Sequence, residues 1–164
     1  MTTTSIKTPA ECSASELEAF QTLLQSGGQV LGAGLLGRIF GAARLLFLRD
    51  ASCRLVGISA LKRTPENYRA KIFQQARAVA LPAPYPLELG WIMVLPSHRG
   101  QGLAGSLVGQ LLPYAAPNLV YATMRASNER MRRTWIRHGF RQEGVAYPSV
   151  RGDYELVLFV QQPS

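Results

Sequence analysis

The chain has 164 residues, of which 47% are apolar, enough for one domain with a full core and too few to call for a second. Gly, Arg and Pro interrupt every apolar run, so no membrane span is expected, and the opening MTTTSIKTPAE lacks the basic start and apolar middle of a signal peptide, which points to the cytoplasm. The net charge of +8 comes almost wholly from arginine and favours acidic ligands, without choosing among a phosphate-bearing cofactor, an acidic protein and a nucleic acid.

Residues Ser5 to Thr8 read as a short first strand. Ser15-Glu16-Leu17-Glu18 reads as a capping box opening a helix with Leu17, Phe20, Leu23 and Leu24 on one face and Gly27-Gly28 at its end. The stretch Val30 to Ala43 carries Leu31, Leu35, Ile39 and Ala43 in helical register, diluted by glycine. Leu45 to Leu48 and Leu55 to Leu61 are apolar runs around the polar turn Arg49-Asp50-Ala51-Ser52 and predict a hairpin. Cys12 and Cys53 have neither metal-ligand nor disulfide-framework spacing and read as reduced structural thiols.

From Lys62 to Pro86 runs a long connection that holds a predicted helix, Pro65 to Val79, and then the proline-rich ALPAPYP. Connections of this length carry structure or function. The helix either buttresses the sheet or walls an acceptor pocket with Tyr68 and Phe73 facing in.

The stretch LELGWIMVLPSHRGQGLAGSLVGQLL, 87 to 112, organises the chain. An apolar strand from Leu87 to Leu95 stops at Pro96, a glycine turn follows, and Leu103, Leu107, Leu111 and Leu112 then recur at helical spacing. The first N–H groups of such a helix lack intrahelical partners, Gly100 and Gly102 admit a ligand to the main chain, and the helix dipole favours phosphate. Leu119 to Met124 follows as a strand, then a helix from Asn128 to His138 with Gly139 at its C-terminus. Arg141 to Tyr147 and Tyr154 to Val160 are the last strands, joined by the turn Pro148 to Asp153.

Arg99, Gly100, Gln101, Gly102, Leu103 and Ala104 match the R/Q-x-x-G-x-G/A signature of the GNAT superfamily of acyl-coenzyme-A-dependent N-acetyltransferases, and Val94, Leu95 and Pro96 match its V-x-P approach. Downstream, Asn128, Met131, Trp135, Gly139 and Phe140 resemble its N-x-x-A-x-x-L-Y-x-x-x-G-F segment. The resemblance implies an α+β fold: a central, mostly antiparallel twisted sheet of six to seven strands flanked by helices, here with an extra helix before the central strand. It also implies transfer of an acetyl group from acetyl-CoA to a primary amine, without a metal.

On this resemblance the amides of Arg99 to Ala104 hold the pyrophosphate, the main chain of Met93 and Val94 holds the pantetheine arm, and the Val94 N–H polarises the thioester carbonyl. Glu88 matches the general-base glutamate of the histone-acetylating branch, and strand alternation puts it on one face with Gly90, Ile92 and Val94. By its residue type alone Glu88 is equally an ordinary strand carboxylate paired with an arginine. Asn128 serves as helix N-cap and as contact to the cofactor arm.

Trp135 departs from the family's tyrosine: an indole N–H donates a hydrogen bond but cannot titrate, so the acid role has moved, with Tyr147 and Tyr154 as substitutes, or is absent and the chain binds coenzyme A without rapid catalysis. Arg130, Arg132, Arg133, Arg137 and Arg141 form either a solvated face or a site for the coenzyme 3′-phosphate or an acidic partner. His98 and His138 have no metal-ligand spacing. The acceptor is a small-molecule or peptide amine, a homodimer is compatible with the fold, and no dedicated nucleic-acid motif is present.

Overall fold

A computed structural model describes residues 1–28 and 32–163. It forms two compact units, one of Met1–Arg63 with Leu89–Tyr114, the other of Thr64–Glu88 with the chain from Ala115 onward. The strands are β1 (Thr3–Lys7), β2 (Arg44–Arg49), β3 (Leu55–Arg63), β4 (Leu87–Val94), β5 (Val120–Arg125), β6 (Phe140–Pro148) and β7 (Glu155–Gln161). They form one mostly antiparallel seven-stranded sheet in the order β1-β2-β3-β4-β5-β7-β6, with β4 and β5 parallel. The helices are α1 (Ala14–Ser26), α2 (Leu35–Phe40), α3 (Glu66–Gln75), α4 (Leu103–Leu111) and α5 (Glu129–Arg137).

In the first unit, β2 is buried on both faces, which is why LLFL lacks alternation. Leu45 and Phe47 join Ile58 and Ala60 beneath the apolar face of α1, where Leu17, Phe20, Leu23 and Leu24 all lie as their spacing predicts. The cap of α1 differs from expectation. Both Ser13…Glu16 and Ser15…Glu18 fit S-x-x-E, and the structure uses the first: Ser13 Oγ accepts from the Glu16 N–H, and Glu16 Oε2 accepts from the Ser13 N–H. Glu16 is further held by Lys7 Nζ at 2.7 Å, a partner that Glu18 does not have in this pairing. The next helix is only Leu35–Phe40, with Gly34 left-handed just before it; Leu35 and Ile39 are buried as read, while Val30 and Leu31 lie outside the described residues.

In the second unit, α3 ends at Gln75, four residues earlier than the pattern suggests. Arg77 takes φ +53°, and the Ala78 N–H returns to the Phe73 carbonyl. The connection is then fastened to β6. The Val145 N–H donates to the Ala76 carbonyl at 2.7 Å, and a Cβ on Gly144 would stand 1.9 Å from that oxygen, so only glycine fits there. Buried Glu143 accepts from the Val79 and Ala80 N–H groups at 3.0 and 3.4 Å. Arg141 lies 2.8 Å from its other oxygen, off the line of a hydrogen bond, so that contact is electrostatic.

Trp91 is the conformational exception within β4. That residue takes φ +53°, a left-handed conformation uncommon for a bulky side chain inside a strand. Trp91, Met93 and Leu95 all pack on the first unit's core.

Candidate active site

In the first unit, β4 hands over to α4 through a tight turn. The Leu95 N–H donates to the Val56 carbonyl at 2.8 Å, and Pro96–His98 makes one 3-10 turn. Gly100 and Gly102 both lie at positive φ, and a Cβ built on either would meet no atom within 4 Å. Gly102 is the N-cap of α4 and offers no side chain to its first turn, where the first helical bond is Ser106 N–H to the Gly102 carbonyl. The amides of Leu103 and Ala104 thus lie in an uncapped helix start beside open space, which suits a phosphate-bearing ligand. Arg99 is exposed, and its Nε donates to the Val94 carbonyl at 2.9 Å, tying the turn to the end of β4. Gln101 is exposed. The Met93 side chain packs against the core and over Gly27.

In the second unit, Glu88 is 3% exposed, and β4 and β5 pair there as Leu87 with Val120 and Glu88 with Tyr121. The Tyr121 hydroxyl donates to Glu88 Oε2 at 3.3 Å and lies 2.8 Å from Thr64 Oγ1. Burial first, and the Glu88 charge second, push the Tyr121 phenol far above its ordinary range. Burial does the same to Tyr147, with smaller contributions from Tyr68 and Glu88. The Tyr147 hydroxyl is buried and has no hydrogen-bond partner among the described residues. Neutral phenols and a buried carboxylate are thereby gathered in one cluster, a setting for moving a proton.

Tyr68 is 47% exposed, while Phe73 lies in the core between Tyr85 and Tyr121, with ring centroids 5.7 Å from each. Asn128 caps α5 as its residue type suggests, its Oδ1 accepting from the Met131 N–H at 3.0 Å. Trp135 is 1% exposed, packed on Phe140 at 4.8 Å, and its indole N–H has no hydrogen-bond partner among the described residues. Tyr154 is covered by the Arg125 guanidinium at 3.9 Å from its ring centroid. Of the arginines, Arg132 is structural, donating to Gln142 Oε1 and the Ala126 carbonyl, and Arg130, Arg133 and Arg137 are exposed.

Thr64 and Tyr121 are the members of the cluster that the sequence reading missed. A signal existed: a tyrosine hydroxyl inside the apolar run LVYATM needs a buried partner, and the preceding strand offers one carboxylate. Among the described residues no group of three or more His, Cys, Asp or Glu is placed to hold a metal, and no helix is long and apolar enough to cross a membrane.

The model of the acetyltransferase (GNAT) family matches residues 7–140. No curated protein sequence matches significantly. Among solved structures, Escherichia coli ElaA superposes with a TM-score of 0.73 at 14% identity, covering 99% of this chain and 100% of its own. An acyl-CoA N-acyltransferase from Pseudomonas aeruginosa gives 0.72 at 17% identity with the same coverage. Arabidopsis thaliana NAA60 in complex with acetyl-CoA gives 0.68 at 15% identity, covering 98% of this chain and 100% of its own. At these identities the likeness is one of fold.

Proposed function

Because the chain belongs to the acetyltransferase (GNAT) family, we propose that residues 1–164 act as one N-acetyltransferase domain that transfers the acetyl group of acetyl-CoA to a primary amine, directly and within a ternary complex. The observation that carries this reading is Glu88, a carboxylate buried on β4 six residues before Val94 and hydrogen-bonded by Tyr121. An alkylammonium has a pKa near ~10.4, so at neutral pH the attacking nitrogen must give up a proton, and Glu88 receives it.

The first unit fits the cofactor on one observation of this chain, the uncapped, glycine-opened start of α4 beside open space. When bound, acetyl-CoA supplies the activated acetyl thioester. The amides of Arg99 to Ala104 would hold its pyrophosphate, the main chain of Met93 and Val94 its pantetheine arm, and Asn128 and Trp135 would add polar contacts. The Val94 N–H would polarise the thioester carbonyl, a contribution of about 3 kcal/mol for one well-aimed donor. Trp135 cannot protonate the departing thiolate, which then takes its proton from water.

The acceptor class is a small-molecule or peptide amine, with exposed Tyr68 on the wall of its pocket and Phe73 bracing the cluster from within. An amine acceptor is compatible with the fold shared with Arabidopsis NAA60, solved also with a bisubstrate analogue, a likeness that does not choose between peptide and small molecule. A cytoplasmic site of action belongs to the same proposal.

A second reading, a coenzyme-A-binding module with little turnover, is favoured by Trp135 alone. Glu88→Gln separates the two. The transferase reading expects kcat to fall about 100-fold or more, with the acetyl-CoA dissociation constant by calorimetry within about twofold. Unchanged turnover removes Glu88 from the mechanism. For the cofactor itself, acetyl-CoA at a hundredfold excess over its dissociation constant adds about 2.7 kcal/mol, a melting rise of about 5–10 °C, and absence of any rise overturns the cofactor assignment.

A further inference from the structure

A base buried to 3% exposure has a second task, which is to shed its proton before the next turnover. Resting on Glu88 as the base, the geometry points to a proton exit that runs from Glu88 through the Tyr121 hydroxyl to Thr64 Oγ1 and out to solvent. The links are 3.3 Å between Tyr121 and Glu88 Oε2 and 2.8 Å between Tyr121 and Thr64. The far end is open: Thr64 is only partly buried, and its neighbours Arg63 and Pro65 are exposed.

Hydroxyl groups suit this task because each both accepts and donates. The amine N–H bond breaks as an O–H bond forms on Glu88. That hydrogen passes to the Tyr121 oxygen while the tyrosine's own hydrogen moves to Thr64 Oγ1, and the threonine's hydrogen moves to water. One proton leaves, the Glu88 carboxylate is restored, and both hydroxyls end neutral. Tyr121 never has to ionise, which matters because burial, and the Glu88 charge whenever that carboxylate is ionised, hold its phenol protonated. The groups that act electrostatically on Tyr121 are Glu88 and Tyr68. The chain also gives the long connection a use, since Thr64 opens it and reaches Tyr121, a residue 57 positions later.

Tyr121 and Thr64 are relay and positioning residues, and the test must tell relaying from positioning. Wild type, Thr64→Val, Thr64→Ser, Tyr121→Phe and Glu88→Gln would be compared with acetyl-CoA and a panel of an alkylamine, an aryl-alkylamine and a peptide with a free N-terminus. Acetyl-CoA hydrolysis, with water as acceptor, serves where no amine turns over. A relay leaves the first turnover of Thr64→Val at the wild-type rate and slows later ones about three- to tenfold, so product appears as a burst. Added imidazole restores the steady rate by carrying the proton, Thr64→Ser behaves as wild type, and Tyr121→Phe shows the same burst. A first turnover slowed as much as the rest, with no imidazole rescue, would mean that Thr64 only positions Glu88 and would overturn the relay. So would Thr64→Val at the wild-type steady rate when Glu88→Gln is slow. If Glu88→Gln itself keeps full turnover, the general-base reading fails first and the relay with it.

Discussion

Glu143 tests whether the connection before β4 is a built part of the site or a passive loop. Its carboxylate is 3% exposed and accepts the Val79 N–H at 3.0 Å and the Ala80 N–H at 3.4 Å, bridging 64 residues of sequence. Hydrogen bonds to an ionised acceptor contribute about 1.5–3 kcal/mol each, and the longer of the two falls at or below the lower end. The Arg141 contact adds about 1 kcal/mol or less, because that arginine is half exposed and screened. Glu143→Ala is therefore expected to cost about 3 kcal/mol, or a melting decrease of about 6–12 °C for a chain of this length. Glu143→Gln keeps one oxygen acceptor and should cost about a third as much. Thermal unfolding of both variants reads the global effect. Amide exchange at Val79 and Ala80 reads the local one, and it should accelerate there before it does in β5 or β7. A loss under about 2 °C for the alanine variant, or equal losses for alanine and glutamine, would refute the reasoning.

Two further outcomes follow from single contacts. Gly102→Ala forces an L-residue into the left-handed region at φ +73°, costing about 1–2 kcal/mol of stability. The added methyl meets only open space in the protein, so a loss of acetyl-CoA affinity by calorimetry beyond that strain would mark the ligand's approach to the main chain. The Lys7–Glu16 pair makes stability depend on pH at both extremes. The Lys7 hydrogen bond, then the Ser13 backbone, hold the Glu16 carboxyl below its ordinary value, so its contribution is full above about pH 4.3 and is lost as pH falls through the lower folded value. The bond to Glu16 raises the Lys7 ammonium, so its contribution is full below about pH 10.4 and is lost as pH rises through the higher folded value. Melting of wild type and a Lys7→Met/Glu16→Gln double variant should differ between these limits and converge outside them.

The parts of this fold that were legible in the sequence are those decided by local periods. The change from strand to helical spacing around Pro96, the apolar face of α1 and the asparagine cap of α5 each rest on residues within one or two turns of one another. The polar cluster around Glu88 was half legible. A family position singles out the carboxylate, but its partners lie 33 residues away at Tyr121 and, through Tyr121, at Thr64, and no local pattern joins them. The end of α3 was missed for a different reason. Arg77 stops it at φ +53° with neither glycine nor asparagine to announce a left-handed residue, because the stop is imposed from β6 through Glu143 and the Val145 bond to Ala76.

Trp91 shows why such imposed geometry matters for the site. A bulky aromatic at φ +53° bears strain of about 1–3 kcal/mol and persists only where its surroundings over-determine it. Here Phe20 meets its ring edge-on at 6.1 Å and Lys62 stands 5.1 Å from its centroid. Trp91, Met93 and Leu95, spaced by two, turn their side chains into a single core, so the strand keeps its alternation from Trp91 onward. The strain at Trp91 is thus compensated by apolar burial, and what it secures is the position of the Val94 main chain, to which Arg99 then ties the glycine turn.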